Sequence, residues 1–156
     1  MPVKKLREYL DENGVKYVTI RHSPAYTTQE VAQSAHIHGQ QMAKVVILKI
    51  NGEMAMAVTT ADRMVDLEEI MREAKTADIM IADEKEFERR FPGVETGAMP
   101  PFGNLYGMEV YADRALSQNR EIAFNAGSHT EIIKMSYHDF ERLVVPKMYS
   151  PARSGA

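Results

Sequence analysis

The chain has 156 residues, 44% hydrophobic and 26% charged, with a net charge of −3, the profile of one soluble globular domain of ordinary size. It contains no cysteine, which excludes thiol catalysis, disulfides and thiolate zinc sites, and no apolar run approaches the ~20 residues that span a membrane. Broad non-specific nucleic-acid binding does not fit the negative balance, although the charge is unevenly spread. Residues 1–50 carry seven Lys/Arg and four Asp/Glu, residues 51–96 carry six and twelve, and residues 97–156 carry six of each. If the protein meets RNA, the acidic middle is expected to face away from it. Modest imbalances of this kind are more commonly solvated faces with no partner.

In chain order, Pro2 suits a first helical position, Val3, Leu6 and Leu10 follow helical spacing, and Gly14 supplies a stop. The N-terminus lacks the apolar core of a signal peptide, and together with the missing cysteine this fits a cytoplasmic protein. Residues 15–22 alternate, imperfectly, like a half-buried strand that Ser23-Pro24 breaks. Thr27 with Glu30 reads as a capping box for a short helix reaching Ala35. Residues 42–50 are apolar and rich in β-branched side chains. Asn51-Gly52 then gives a strong hairpin signal, with residues 53–60 as the return strand.

Asp66 with Glu69 caps a helix through Lys75, and residues 78–82 resemble a short buried strand. Asp83 with Glu86 caps a second acidic helix that ends at Phe91-Pro92-Gly93. Residues 105–112, 120–124 and 131–135 read as strands, the last two separated by a turn, Asn125-Ala126-Gly127-Ser128-His129. Ser136 caps a last helix over 137–145, and Pro146 ends it. The pattern predicts a single α+β domain over 1–146, with a mixed sheet covered by helices, and a loose tail over 147–156.

Four features carry possible chemistry. In Thr96-Gly97-Ala98-Met99-Pro100-Pro101-Phe102-Gly103 two glycines bracket two prolines. The prolines force an extended, rigid backbone without N–H groups, while Gly97, Ala98 and Met99 keep theirs. Such a cluster is commonly a plain loop; the alternative is a stiff loop that shows its amides to a ligand. Lys44, near the start of an apolar strand, reads by itself as an edge charge that discourages strand addition; the other reading is a cation holding a phosphate or carbonyl oxygen. His36 and His38 lack a third ligand at a recognisable spacing, and no HExxH occurs, so no metal is expected. His22 and His129 read as structural or rim residues. Gly127-Ser128-His129 hints at a nucleophilic serine but lacks the G-x-S-x-G elbow. Walker A, dinucleotide and RNP signatures are all missing.

Taken together, three stretches resemble the YbaK family of aminoacyl-tRNA deacylases, which includes free-standing proteins and the editing domain inserted in many prolyl-tRNA synthetases. They are Ala43-Lys44-Val45-Val46, then Gly97-Ala98-Met99-Pro100-Pro101 matching a G-x-x-x-P loop with Phe102-Gly103 after it, and Phe124-Asn125-Ala126-Gly127-Ser128-His129-Thr130-Glu131. The resemblance implies a barrel-like mixed sheet ringed by helices, and hydrolysis of the ester joining a wrong amino acid to the terminal adenosine of a tRNA. It implies that loop amides hold the aminoacyl carbonyl, that Lys44 contacts the substrate's 3′ end, and that a ribose hydroxyl of the tRNA helps activate water, without cofactor or metal. The implied catalytic set is Lys44, Gly97, Ala98, Met99 and Pro101. The walls of the amino-acid pocket are expected among His22, Thr27, Thr28, Pro100, Asn125, Gly127, Ser128 and His129.

A small amino acid is the expected substrate, because a pocket does not sharply exclude something smaller than its proper ligand. Met99 departs from the small or polar residues expected there in some relatives and bears on selectivity. The implied partner is the acceptor end of an aminoacyl-tRNA, delivered free or by a synthetase or an elongation factor, with no DNA and no membrane. The domain reads as free-standing. Two other functions fit the same residues: a non-catalytic module binding the tRNA 3′ end or a synthetase, and a hydrolase of another small activated ester.

Overall fold

The structure is a computed structural model and describes residues 4–22, 28–35 and 37–150. The expected roles of Pro2, Thr27 and His36 fall outside the described residues. Five helices, α1 (Lys4–Glu12), α2 (Thr28–Ser34), α3 (Leu67–Ala74), α4 (Glu84–Phe87) and α5 (Tyr137–Val144), accompany eight strands among these residues. The strands are β1 (Tyr17–Arg21), β2 (Ala43–Ile50), β3 (Glu53–Thr60), β4 (Ile79–Ile81), β5 (Glu109–Asp113), β6 (Glu121–Ser128), β7 (Glu131–Ser136) and β8 (Lys147–Tyr149).

Local signals account for most element ends. Asn51 (φ 52°) and Gly52 (φ 81°) both take the left-handed backbone of a two-residue hairpin turn, and β2 pairs β3 along its whole length from Ala43 with Thr60 to Ile50 with Glu53. The Asp66 carboxylate accepts the Glu69 N–H at 3.2 Å, and Ser136 Oγ accepts the Asp139 N–H at 3.1 Å. Each satisfies a donor that the first helical turn leaves free. At Asp83 the capping box is complete, since Glu86 returns a carboxylate oxygen to the Asp83 N–H at 3.0 Å.

The strands form two sheets, an antiparallel β1-β7-β6 and a mixed β4-β2-β3-β5-β8. No closed barrel forms among the described residues. The sheets meet through one parallel bridge, Met42 with Ala123. The main core lies between their facing sides, where Ile47, Met56, Val58 and Val110 meet Ile122, Phe124 and Ile133, with Leu6 and Leu10 of α1 and Phe140 of α5 packed in. On the opposite face, α2 covers Met42, Ala61, Ala123 and Ile132 with Val31 and Ala32. Beside it Ile70 of α3 covers Leu48, Ala57, Tyr111 and Tyr149.

Four expectations change. Lys147–Tyr149, assigned to the loose tail, form β8, which extends the sheet alongside β5 and buries Tyr149 to 2% exposure. The segment 78–82 is a strand but not a buried one. β4 is an edge with Met80 and Ile81 more than half exposed, because only its β2 side is paired. Residues 105–108 are not strand. Gly103–Tyr106 form a 3-10 turn that Gly107 ends with a left-handed backbone, and β5 starts at Glu109. Residues 125–128 continue β6 rather than turning. The register passes from Asn125 with Ile132 to Ser128 with Glu131, so Ala126 and Gly127 bulge out of the ladder. Gly127, at φ 98°, lets the strand kink without stopping.

Gly103 is packed to its limit. A Cβ there would lie 2.7 Å from Val110 Cγ2, 3.2 Å from the Met108 carbonyl oxygen and 3.3 Å from Met56 Cβ. Gly103→Ala is expected to destabilise the fold by about 1–3 kcal/mol. A thermal melt should show Tm falling by roughly 2–4 °C per kcal/mol.

Candidate active site

The Gly97 loop is stitched onto the β6 bulge. The Glu95 N–H donates to the Gly127 carbonyl at 2.8 Å, and the Gly127 N–H donates to the Ala98 carbonyl at 3.0 Å. The bulge turns the backbone polar groups of Gly127 out of the β6–β7 ladder, which frees them for the loop. His129, just past the end of β6, ties the other side. Its backbone N–H donates to the Glu95 carboxylate at 2.8 Å, and its ring Nε2 donates to the Thr96 carbonyl at 2.9 Å. A carbonyl only accepts, so Nε2 carries the proton in this contact. Gly97 has φ 87°, and a Cβ on it would face His129 Cε1 at 3.5 Å.

These bonds join Gly127 and His129 to Glu95, Thr96 and Ala98 of the loop. The outward display of amides is narrower than expected. The Ala98 N–H donates to the Glu95 carbonyl at 3.0 Å and closes a turn. Gly97 and Met99 N–H groups donate to no backbone carbonyl among the described residues. Gly97 is exposed, whereas Ala98, Met99, Pro100 and Pro101 are buried. The prolines thus anchor the loop from inside, with Met99 packed in the main core.

Val45, Ile47, Ala82, Phe87, Gly97 and Met99 line a pocket of about 330 Å³ next to this loop. It opens where, among the described residues, no strand pairs with the far edge of β2, between the Met42 bridge and the Leu48–Ile81 pair that begins β4's ladder. Glu84 also lines it, so the acidic middle of the chain reaches the pocket rim instead of lying wholly apart.

Lys44 sits in that open stretch of β2, half-buried, on the face shared with Met42. Its ammonium donates to the Arg63 carbonyl. Burial holds its pKa below the usual lysine value, and the nearby Asp62 carboxylate pulls it partly back up. Across the sheet from Lys44 runs a row that sequence reasoning missed. Thr59 is opposite Lys44, and its hydroxyl donates to Asp113 Oδ2 at 2.7 Å. Asp113, fully buried, also accepts the Ala115 N–H at 2.8 Å and pairs with Tyr149. No motif marks these residues; only the ladders bring them into line.

On the other side of Lys44, the parallel bridge sets Asn125 in step with it, each two residues past the bridged pair. His22, only 9% exposed, donates its backbone N–H to the Thr130 carbonyl at 2.8 Å. Glu131, only 3% exposed, lies 3.5 Å from Arg21 Nη2. Thr28 opens α2. Thr27 falls outside the described residues, and so does any wall it forms. Among the described residues no cluster of three His, Asp or Glu is placed to hold a metal ion. His38, the described member of the histidine pair, is exposed. No helix among these residues is long and apolar enough to cross a membrane.

The sequence profile of the aminoacyl-tRNA editing domain matches residues 22–143, which contain the strand, the loop and the bulged hairpin just described. The chain belongs to the aminoacyl-tRNA editing domain family. A prolyl-tRNA editing protein, ProX, of Acetoanaerobium sticklandii is 24% identical over 141 residues, 86% of this chain and 85% of its own length. The multifunctional Ser/Thr-tRNA deacylase ProXp-y of Escherichia coli is 24% identical over 156 residues, 97% of this chain and 93% of its own. A solved structure described as a candidate trans-editing enzyme for prolyl tRNA synthetase superposes with a TM-score of 0.80 at 18% identity, covering 97% of this chain and 96% of that one. That likeness shows that the editing-domain fold is shared.

The bonds around Glu95 and His129 predict how the loop is held. His129→Ala, which removes the ring contact to Thr96, is expected to raise the hydrogen-exchange rate of the Ala98 and Gly127 amides about tenfold, leaving the β2–β3 amides unchanged. Residue-resolved exchange measurements check this.

Proposed function

We propose that the protein is a trans-acting aminoacyl-tRNA deacylase, which hydrolyses the ester of a small amino acid misattached to a tRNA. The observation that carries the reading is the Gly97 loop, in which two backbone N–H groups without a backbone acceptor stand beside the open stretch of β2 that bears Lys44. Membership of the editing-domain family and the printed activities of the relatives support it.

In this mechanism the Gly97 and Met99 N–H groups receive the aminoacyl carbonyl oxygen as it becomes an oxyanion. Donors fixed by a rigid backbone need no reorganisation at that moment, and one such donor contributes about 3 kcal/mol to lowering the barrier. Pro100 and Pro101 hold the donors in place with little entropy to lose. Lys44 leaves the Arg63 carbonyl to hold the terminal phosphate or ribose, which orients the ester. The vicinal ribose hydroxyl of the tRNA assists the attacking water. An aminoacyl ester is already activated, so no nucleophilic side chain, metal or cofactor is called for. The slightly basic first fifty residues suit contact with the acceptor end, and a synthetase or an elongation factor is the proposed source of delivery.

The test is deacylation of tRNAs charged with Ala, Cys, Ser, Thr and Pro, on cognate and non-cognate tRNA. Selective hydrolysis of one mischarged species is expected, with Lys44→Ala lowering kcat/KM by about 10² while the thermal melt is unchanged. Full activity in a folded Lys44→Ala protein would remove the role given to Lys44. Absence of hydrolysis for every species would turn the reading to a module that only binds the tRNA 3′ end.

The lowered pKa of Lys44 adds a pH signature. The protonated ammonium is the acting form, so activity is present below its pKa and lost as pH rises through it. After subtraction of spontaneous ester hydrolysis, the alkaline limb of kcat/KM should lie below the range of an ordinary lysine. Lys44→Arg, charged at every accessible pH, should show no such limb. A pH–rate profile checks both.

A further inference from the structure

We propose that the Glu84 carboxylate receives the free α-ammonium of the aminoacyl group, so that the site selects esters whose amine is charged and unblocked. The inference rests on the deacylase reading above and names the substrate group that the pocket beside the Gly97 loop would recognise.

That pocket, about 330 Å³ in volume, has apolar walls supplied by Val45, Ile47, Ile81, Ala82, Phe87 and Met99. Among the described residues one charged side chain lines it, Glu84, and no Lys, Arg or His does. Nothing in the lining therefore repels a cation, and apolar walls that displace water strengthen the attraction between opposite charges. An aminoacyl ester carries its positive charge on the amine, two bonds from the carbonyl carbon. Gly97 and Met99, the proposed donors to the carbonyl oxygen, line the same pocket. An ester held by those donors has its amine in or at the mouth of this pocket, where the one side-chain charge has the opposite sign.

The fold does not use Glu84 for anything else that its bonds show. It is exposed, in the first turn of α4, and none of the ion pairs among the described residues includes it. Glu86 is the residue that holds Lys49 Nζ, at 2.6 Å, and that returns a carboxylate oxygen to the Asp83 N–H. The helix keeps its cap and its ion pair whatever stands at position 84.

The strand adds a second acceptor. On the far edge of β2 the Ile47 carbonyl accepts the Ala82 N–H at 2.9 Å. Val45 has the same parity, so its carbonyl points to that edge too. Among the described residues no strand pairs there and no backbone N–H reaches the Val45 carbonyl. Val45 is half-buried and lines the pocket. An ammonium has three N–H donors and no acceptor, so it can bond a carboxylate and a carbonyl together. A neutral group in its place loses the attraction to Glu84.

The experiment is a cycle between enzyme charge and substrate charge. One tRNA carries either the amino acid that the full chain hydrolyses fastest or the matching α-hydroxy acid, in which a neutral hydroxyl of similar size replaces the ammonium. Rates are measured under single-turnover conditions with enzyme in excess, at about pH 6.5, where the amine is charged. Glu84→Gln, neutral and equal in size, is expected to slow the aminoacyl ester about three- to tenfold and the hydroxyacyl ester less than about twofold. Glu84→Lys should slow the aminoacyl ester further. Thermal melts establish that the variants fold; should glutamine prevent folding, Glu84→Ala reads the same cycle. An equal fall on both esters, or no fall on either, in a folded variant would overturn the assignment and leave the deacylase reading intact. Hydrolysis of no aminoacyl ester by the natural sequence would remove both.

Discussion

A strand has two edges, and what β2 does with its second one shapes the rest of the molecule. One edge is spent entirely on β3. The other meets β6 at a single bridge near Met42 and β4 only from Leu48 onward. The alternation of the antiparallel ladder puts the backbone groups of Ile47 and Asn51 on this second edge, where the Ile47 carbonyl accepts from Ala82 and the Asn51 N–H donates to Asp78, both at 2.9 Å. Val45 shares their parity and points the same way. Between the two partners no strand pairs with this edge among the described residues, and Lys44 and the pocket beside the Gly97 loop lie along that stretch. Had β6 followed β2 further, the edge would be closed and the cleft filled.

The second constraint is the bulge at Ala126 and Gly127. A regular β6 would spend the backbone groups of Gly127 on the ladder with β7. Bulged, it offers them to Glu95 and Ala98, and His129 adds a ring and an amide from the turn. The loop is thus held by its neighbours as well as by its own prolines. Rigidity of this kind matters for backbone donors, because an amide aims where its peptide plane aims and has no rotamer with which to correct an error.

Polar groups inside this protein fall into two kinds. Asp113 is fully buried and satisfied, taking donors from Thr59 and Ala115, so it helps tie β3, β5 and the turn that follows β5. Asn125 is almost as buried, and its side-chain oxygen has no donor among the described residues. The first pattern is what a fold needs. The second weakens a fold, because an enclosed acceptor without a donor loses its water and gains nothing in return.

Much of this was legible in the amino-acid order. The helices at Asp66, Asp83 and Ser136, the Asn51-Gly52 hairpin, and the stretches bearing Lys44, Gly97 and Asn125 rest on signals that lie within a few residues, because capping bonds and turn dihedrals involve only near neighbours. Tertiary structure decided the rest. Lys147–Tyr149 became a strand because β5 offered a partner edge, and Gly127 marked a bulge instead of a turn because β7 pairs on both sides of it. The Ala98 N–H went to Glu95, and the side-chain oxygen of Asn125 was enclosed without a donor among the described residues. Propensity is written locally, whereas strand pairing, desolvation and the satisfaction of a buried polar atom depend on residues brought together from some eighty positions away in the chain, as Met42 and Ala123 are.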